Sequence, residues 1–297
     1  MLSVPALLVA ALLPLQQTVI YDDSGMPYAL GEAPRRIISL APNITEILFA
    51  LGLGDKIAGV TRYCDYPEQA LGKNKVGGMV DPNLELIQAL RPDLIVGFRG
   101  NPLGVLNKLR RLHFPVFVLN LGTTLDGLFQ TVETVGRITR AEEPAREIVD
   151  GLKKKQVAIQ HALLGHPEKP KVFLSVYGQG LWTCGQGSYL NDLLTQAGGL
   201  NIAGKIERRW LQLSREQLIH EDPDVIVIMA KDKDRFAQAE ASFWADPRLK
   251  GIRAVKDNNI HWLDENIAGR FGPRLFDALE AGTEHDRERE VRGGGCR

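Results

Sequence analysis

Between residues 36 and 281, short apolar runs alternate with amphipathic stretches. Residues 36–40 read as a buried strand, 42–51 as a helix closed by Gly52, and 57–61 as a second strand. A helix over 82–90, a strand over 93–98, a helix over 103–112, a strand over 115–120 and a helix over 125–139 follow. Beyond Pro170 the theme returns: strand 172–176, helix 189–197 closed by Gly198-Gly199, helix 215–221, strands 224–229 and 260–263, and a final helix over 273–281. Strands that alternate with helices predict parallel sheets. Between the two series, residues 142–164 read as one long helix. Ile148, Leu152, Lys155–Gln156 and Ile159–Leu163 fall close to one stripe, Pro144 suits the first turn, and Gly165 ends it.

The two series repeat one another. Glu85-Leu86-Ile87 leads in seven residues to Pro92-Asp93-Leu94-Ile95-Val96, and Glu216-Gln217-Leu218 leads in seven to Pro223-Asp224-Val225-Ile226-Val227, at an offset of 131. Thr45-Glu46-Ile47-Leu48 with Gly52 and Ile57-Ala58-Gly59 matches Asn191-Asp192-Leu193-Leu194 with Gly198 and Ile202-Ala203-Gly204. Matched blocks in one order signal duplication. The fold class expected is α/β: two Rossmann-like lobes with mainly parallel sheets, each with its own core, bridged by one long backbone helix. The lobes span 18–140 and 166–283, with the interlobe helix in 141–165. Such lobes leave a cleft, and ligands bind at the carboxyl ends of parallel strands.

The ends depart from this pattern. Residues 1–17 read as a signal peptide, because the apolar run 2–15 is too short to span a bilayer. No Cys closely follows it to carry a lipid. A turn signal at Asp22-Asp23-Ser24-Gly25 marks a short extended or hairpin segment, and the charged tail 284–297 reads as disordered. With 36 basic and 36 acidic residues, charge gives no reason to expect nucleic acid as a partner. Of three cysteines, Cys64 and Cys184 fall in different lobes and read as small, semi-buried side chains.

A search for catalytic motifs finds no Gly-x-Ser-x-Gly, Walker A or His-Glu-x-x-His run, and six scattered histidines lack metal-ligand spacing. Gly178-Gln179-Gly180 and Gly185-Gln186-Gly187 read as tight turns. At or near strand ends stand Tyr63, Phe98, Arg99, Tyr177, Trp182, Trp244, Arg270 and Phe271, a set suited to a planar or large amphipathic ligand. Glu85 and Glu216 start equivalent helices. They are either dipole-stabilising charges or a pair of carboxylates that could grip arginines of a symmetric partner.

SLAPNITEILFALG (39–52), GVTRYCDYPEQA (59–70), VGGMVDPNLELIQALRPDLIVGFRGN (76–101), SYLNDLLTQAGGLNIAG (188–204) and SREQLIHEDPDVIVI (214–228) together resemble the periplasmic cobalamin-binding proteins of ABC importers. More broadly they are similar to the substrate-binding proteins for siderophores, haem and cobalamin. The resemblance implies a non-enzymatic, monomeric, periplasmic receptor without a resident cofactor, binding a metal chelate and delivering it to a dimeric ABC permease with its ATPase subunits. It places Glu85 and Glu216 on the permease-docking face. It also puts Met79 and Phe98 where a cobalamin pocket carries tryptophans, with Val118 near a third such place, so haem or a ferric siderophore is an alternative to a corrinoid. A chelatase-like or nitrogenase-like two-lobed enzyme is the alternative of another class; it would need Cys64 and Cys184 as metal ligands.

Overall fold

The computed structural model describes residues 18–120, 122–165, 169–176 and 180–280. The signal-peptide stretch, Tyr177, and the tail beyond 280 lie outside them. The described chain opens with an antiparallel pair, β1 (Val19–Tyr21) and β2 (Pro27–Ala29). The buried Asp22 pins this hairpin down: its carboxylate accepts from the backbone N–H of Ser24, Met26 and Val118 and pairs with Arg110 at 2.6 Å.

The N-terminal lobe follows as β3 (Ile37–Ser39), α1 (Pro42–Ala50), β4 (Ile57–Val60), β5 (Asn74–Lys75), α2 (Leu84–Ala89), β6 (Leu94–Phe98), α3 (Leu103–Arg111) and β7 (Val116–Leu119). Its sheet has the order β5-β4-β3-β6-β7, and every pairing is parallel. Helix α4 (Leu125–Thr139) then leads through Arg140, in the left-handed region, to α5 (Glu142–Leu163). The C-terminal lobe comprises β8 (Lys171–Ser175), β9 (Trp182–Cys184), α6 (Tyr189–Gln196), β10 (Leu200–Asn201), β11 (Trp210–Gln212), α7 (Arg215–Glu221), β12 (Val225–Ala230), α8 (Lys233–Ala245), α9 (Arg253–Lys256), β13 (Ile260–Asp264) and α10 (Glu265–Ala268), with further helix over 275–280. Its parallel sheet runs β10-β8-β12-β13, while β9 and β11 pair antiparallel as a separate ribbon.

The internal repeat is physical. Helices α2 and α7 are capped by Asn83 and Ser214, whose side chains accept from Leu86 N and Gln217 N. Each helix leads into a left-handed non-glycine residue, Arg91 (φ 46°) or Asp222 (φ 44°). After Pro92 and Pro223, Asp93 and Asp224 brace the start of the neighbouring strand by accepting from Arg36 N and Lys171 N, both at 2.8 Å. Gly52 and Gly198 end α1 and α6 with φ of 73° and 88°.

The strut α5 is continuous for 22 residues, about 33 Å of helix. Its buried positions are Ala145, Val149, Leu152 and Ile159, a stripe rotated slightly from the one read in the sequence. The polar pair Lys155–Gln156 sits between contacts instead: Lys155 Nζ reaches Asp277 (2.9 Å) and Gln156 donates to Asp126 (3.2 Å). One end packs on α4, where a methyl group on Gly136 would lie 2.5 Å from Ala145 Cβ, so glycine sets the helix spacing there. The other end reaches the C-terminal lobe: Gln160 donates to Gln196, and Leu163 lies against Gly198.

Two separate cores are not what forms. One buried cluster runs from Ile44, Leu48 and Phe117 through Val132 and Val149 to Leu174, Leu190 and Phe276. Phe129 and Phe276 stack across it at 5.7 Å. Each sheet has a private layer only on its outer face. Helices α4, α5 and 275–280 fill the space between the sheets and fuse the two interiors. Helix α8 is the main element absent from the sequence reading. It buries only Ala239 and Phe243, so its apolar stripe is faint, although parallel β12 and β13 require a crossover.

Candidate ligand-binding cleft

Loops at the carboxyl edges of the two sheets meet. From the C-terminal lobe, Arg270, just beyond α10, reaches the N-terminal lobe: its Nη1 donates to Glu46 on α1 (2.8 Å) and its Nη2 pairs with Asp65, after β4, at 2.6 Å. Burial works against the charge of Arg270, but the two carboxylates outweigh it and hold its pKa above the ordinary value.

On the N-terminal side, one buried amide organises three loops. Asn101 Oδ1 accepts from Phe98 N (2.8 Å), and its Nδ2 donates to Leu40 O (3.1 Å) and Met79 O (2.8 Å). It thereby holds Met79 and Phe98 in place, and both are half-buried against the core. The Phe98 ring covers Gly100, where a Cβ would meet it at 2.1 Å. Arg99 is exposed. After β4, Arg62 pairs with Asp81 and lies 5.4 Å from the exposed Tyr63 ring. Tyr66 is exposed too, and its ring stacks under Arg274 at 3.7 Å.

On the C-terminal side, the β9–β11 ribbon follows β8. Trp182 opposes Gln212 and Cys184 opposes Trp210, which puts Trp182 and Trp210 on one face as diagonal neighbours. They are 40% and 37% exposed, while Thr183 and Leu211 are buried on the other face. Trp210 stands outside the sequence candidates; its signal is its place immediately before a buried Leu-x-Leu pattern, Leu211 and Leu213, which marks an alternating strand.

Other sequence candidates fall elsewhere. Phe271 is 1% exposed, packed against Tyr189 at 5.1 Å and over Gly122, so its ring is an interlobe plug with no face for a ligand. The guanidinium of Arg270 is committed to Glu46 and Asp65. Trp244 is not at a strand end: it lies near the far end of α8, about 16 Å of helical rise from Lys233. Val118 is fully buried inside β7. Tyr177 lies outside the described residues.

Cys64 and Cys184 are core groups. Cys64 is buried with Thr45 Oγ1 and Thr61 Oγ1 each 3.1 Å from its Sγ, and burial pushes its thiol pKa up. Burial raises that of Cys184 to about 12. Neither is a poised thiolate ligand. Glu85 and Glu216 are exposed in the first turns of α2 and α7. Both helices end by feeding β6 and β12, which sets their N-termini toward the carboxyl edges.

Residues 37–267 match the sequence model of the periplasmic binding proteins. The chain belongs to that family. A vitamin B12-binding protein of Vibrio campbellii is 30% identical over 90% of this chain and 94% of its own length. The solved vitamin B12-binding protein BtuF of Vibrio cholerae is 28% identical, with a TM-score of 0.73, covering 86% of this chain and 97% of that one. The haem-binding protein RhuT of Roseiflexus sp. RS-1, in apo form, is 25% identical, with a TM-score of 0.75 over 86% of this chain and 97% of its own. The chain is therefore a substrate-binding protein of the vitamin B12, haem and siderophore class, not an enzyme. Family membership implies a small-molecule ligand and a transporter permease that receives it. Among the described residues, no helix is long and apolar enough to cross a membrane.

Proposed function

We propose that this periplasmic binding protein captures a cobalamin-like corrinoid between its lobes and delivers it to an ABC permease from an extracytoplasmic, periplasmic location. The observation that carries the reading is the aromatic character of the carboxyl-edge loops, where Arg62 and Arg270 are charge-paired and Arg99 is an exposed cation. Tyr63, Met79, Phe98, Trp182 and Trp210 offer large apolar surface, while Arg62 and Arg270 are already matched by Asp81, Glu46 and Asp65. Such a surface suits a broad amphipathic ring of low net charge better than a multiply anionic chelate. Glu85 and Glu216, symmetric in the two lobes, are suited to pair with arginines of a two-fold permease. Calorimetric titration with cyanocobalamin, haemin and a ferric siderophore tests the ligand. Tight one-to-one binding of cyanocobalamin is expected; binding of either of the others with cyanocobalamin inert would overturn it.

Haem is the second reading, favoured by one observation. The exposed phenol of Tyr63, on a loop at the carboxyl edge, is an oxygen donor of the kind that ligates ferric haem iron. A tyrosinate-to-iron charge-transfer band on adding haemin, lost in Tyr63→Phe, would select it.

A further inference from the structure

Glu46 is an unusual acid for a helix packed in a core. Its side chain is 3% exposed and lies on α1 among Ile44, Ile47 and Leu48. Uncompensated, that charge would be prohibitive. It is met entirely from the other lobe: Arg270 Nη1 donates to Oε1 (2.8 Å), Arg274 Nη2 to Oε1 (2.6 Å) and Arg274 Nε to Oε2 (2.9 Å). Both arginines carry a second tie. Arg274 donates to Asn266 O and stacks on the Tyr66 ring, and Arg270 pairs with Asp65. One buried carboxylate thus anchors two forks, and each fork also holds the 61–67 loop, which carries Tyr63.

The geometry points to Glu46, Arg270 and Arg274 as an interlobe clamp that positions the Tyr63–Tyr66 loop against the C-terminal lobe, making them positioning residues for ligand capture rather than ligand contacts. Two features support a clamp over plain packing. The contacts are directional, since planar guanidinium forks fix angle as well as distance. The two arms also differ in depth. Arg270–Glu46 is buried, whereas the Asp65 side chain is half exposed, so the Asp65 arm can exchange with solvent while Glu46 stays held. Beside the clamp, a cavity of about 570 Å³ is lined by Glu46, Tyr66, Gln69 and Arg274 together with Phe49 and Pro273.

The inference rests on reading the interlobe cleft as the binding site, and its first test needs no ligand. Hydrogen–deuterium exchange is followed in the whole protein for the 61–66 segment and, as a control, for β12. Asp65→Asn, a surface change, is expected to leave the melting temperature unaltered and to speed exchange of 61–66 about fivefold, with β12 unchanged. Glu46→Gln is expected to speed the loop further and to lower the melting temperature. The triple variant Glu46→Leu, Arg270→Met, Arg274→Met restores packing without directional contacts, so it should recover the melting temperature but not the slow loop. Unchanged loop exchange in Asp65→Asn, or a slow loop in the apolar triple variant, would overturn the clamp. Cyanocobalamin titration of Asp65→Asn then reads the consequence. A slower association at unchanged melting temperature supports positioning, whereas wild-type association with a fast loop removes the link to capture. If the wild-type protein ignores cyanocobalamin, the ligand reading fails while the exchange result still judges the clamp.

Discussion

Arg91 and Asp222, 131 residues apart, hold the same left-handed backbone position at the ends of α2 and α7, with φ of 46° and 44°. Their side chains make the two sites unequal. Arg91 is exposed and carries no side-chain hydrogen bond among the described residues, whereas Asp222 accepts from Arg253 N (2.9 Å) and Arg253 Nε (2.8 Å). Arg91→Gly is therefore expected to stabilise the protein by about 0.5–1 kcal/mol, because glycine removes the left-handed penalty. Asp222→Gly should not stabilise it, since the gain is offset by the lost bonds to Arg253. Paired urea unfolding curves check the contrast.

Acid should weaken the C-terminal lobe through a defined set of carboxylates. The backbone N–H of Arg253, then its guanidinium, hold Asp222 below the usual value; Arg248 and then Arg215 do the same for Asp246. A carboxylate with a depressed folded-state pKa contributes stability that is present above its unfolded pKa and is lost as pH falls through the folded one. Stability should thus hold down to about pH 5 and decline below about pH 4. Asp192 runs the other way, since burial raises its pKa, and it moderates the decline. In Asp222→Asn with Asp246→Asn the fall in urea midpoint between pH 4 and pH 2 should be shallower than in wild type.

Asn101 ties the loops after β3, β5 and β6 together from a buried position. Asn101→Ala leaves Leu40 O, Met79 O and Phe98 N without that partner, which should cost about 2–3 kcal/mol. The loops bearing Met79 and Phe98 should loosen as well, so affinity for cyanocobalamin is expected to fall along with the denaturation midpoint. A falling midpoint with full affinity would separate folding from the site.

Trp210 shares one face of the ribbon with Trp182. Truncating a stacked aromatic at a binding surface costs about 2 kcal/mol or more. Trp210→Ala is expected to weaken cyanocobalamin binding roughly thirtyfold with little change in melting temperature, since its side chain is partly in water already. Calorimetry on the single and the Trp182 double variant measures this and any coupling.

The double variant Glu85→Ala with Glu216→Ala should bind ligand as the parent does and fail to stimulate ATP hydrolysis by its reconstituted transporter. If stimulation is undiminished, these carboxylates only serve the helix ends.

Much of the architecture is legible from residues alone. Pro92-Asp93 and Pro223-Asp224 mark where helix gives way to strand, and both α4 and α7 start and stop where the apolar pattern changes. Helix α8 is not legible, because a helix that lays only two buried side chains on the outer face of its sheet leaves almost no period. The site is harder to read than the fold. Arg270 and Phe271 fall just beyond α10, one short helix after β13, and nothing local reveals that Glu46 and Gly122, more than 140 residues earlier, already occupy them. Long-range pairing of this kind leaves no trace in spacing. Trp210 is missed for a different reason: its three-residue strand belongs to a ribbon outside either parallel sheet.

The buried cluster running beneath α5 takes side chains from both ends of the chain, from Ile44 to Phe276. Neither half owns enough of it to survive alone. Residues 18–140 expressed as a fragment would expose Leu128, Val132 and Val135 and aggregate, and heat or urea should take the whole molecule apart in one transition. A receptor made this way gives up wide hinge swings and gains resistance to proteases, which find no half-open form to cut.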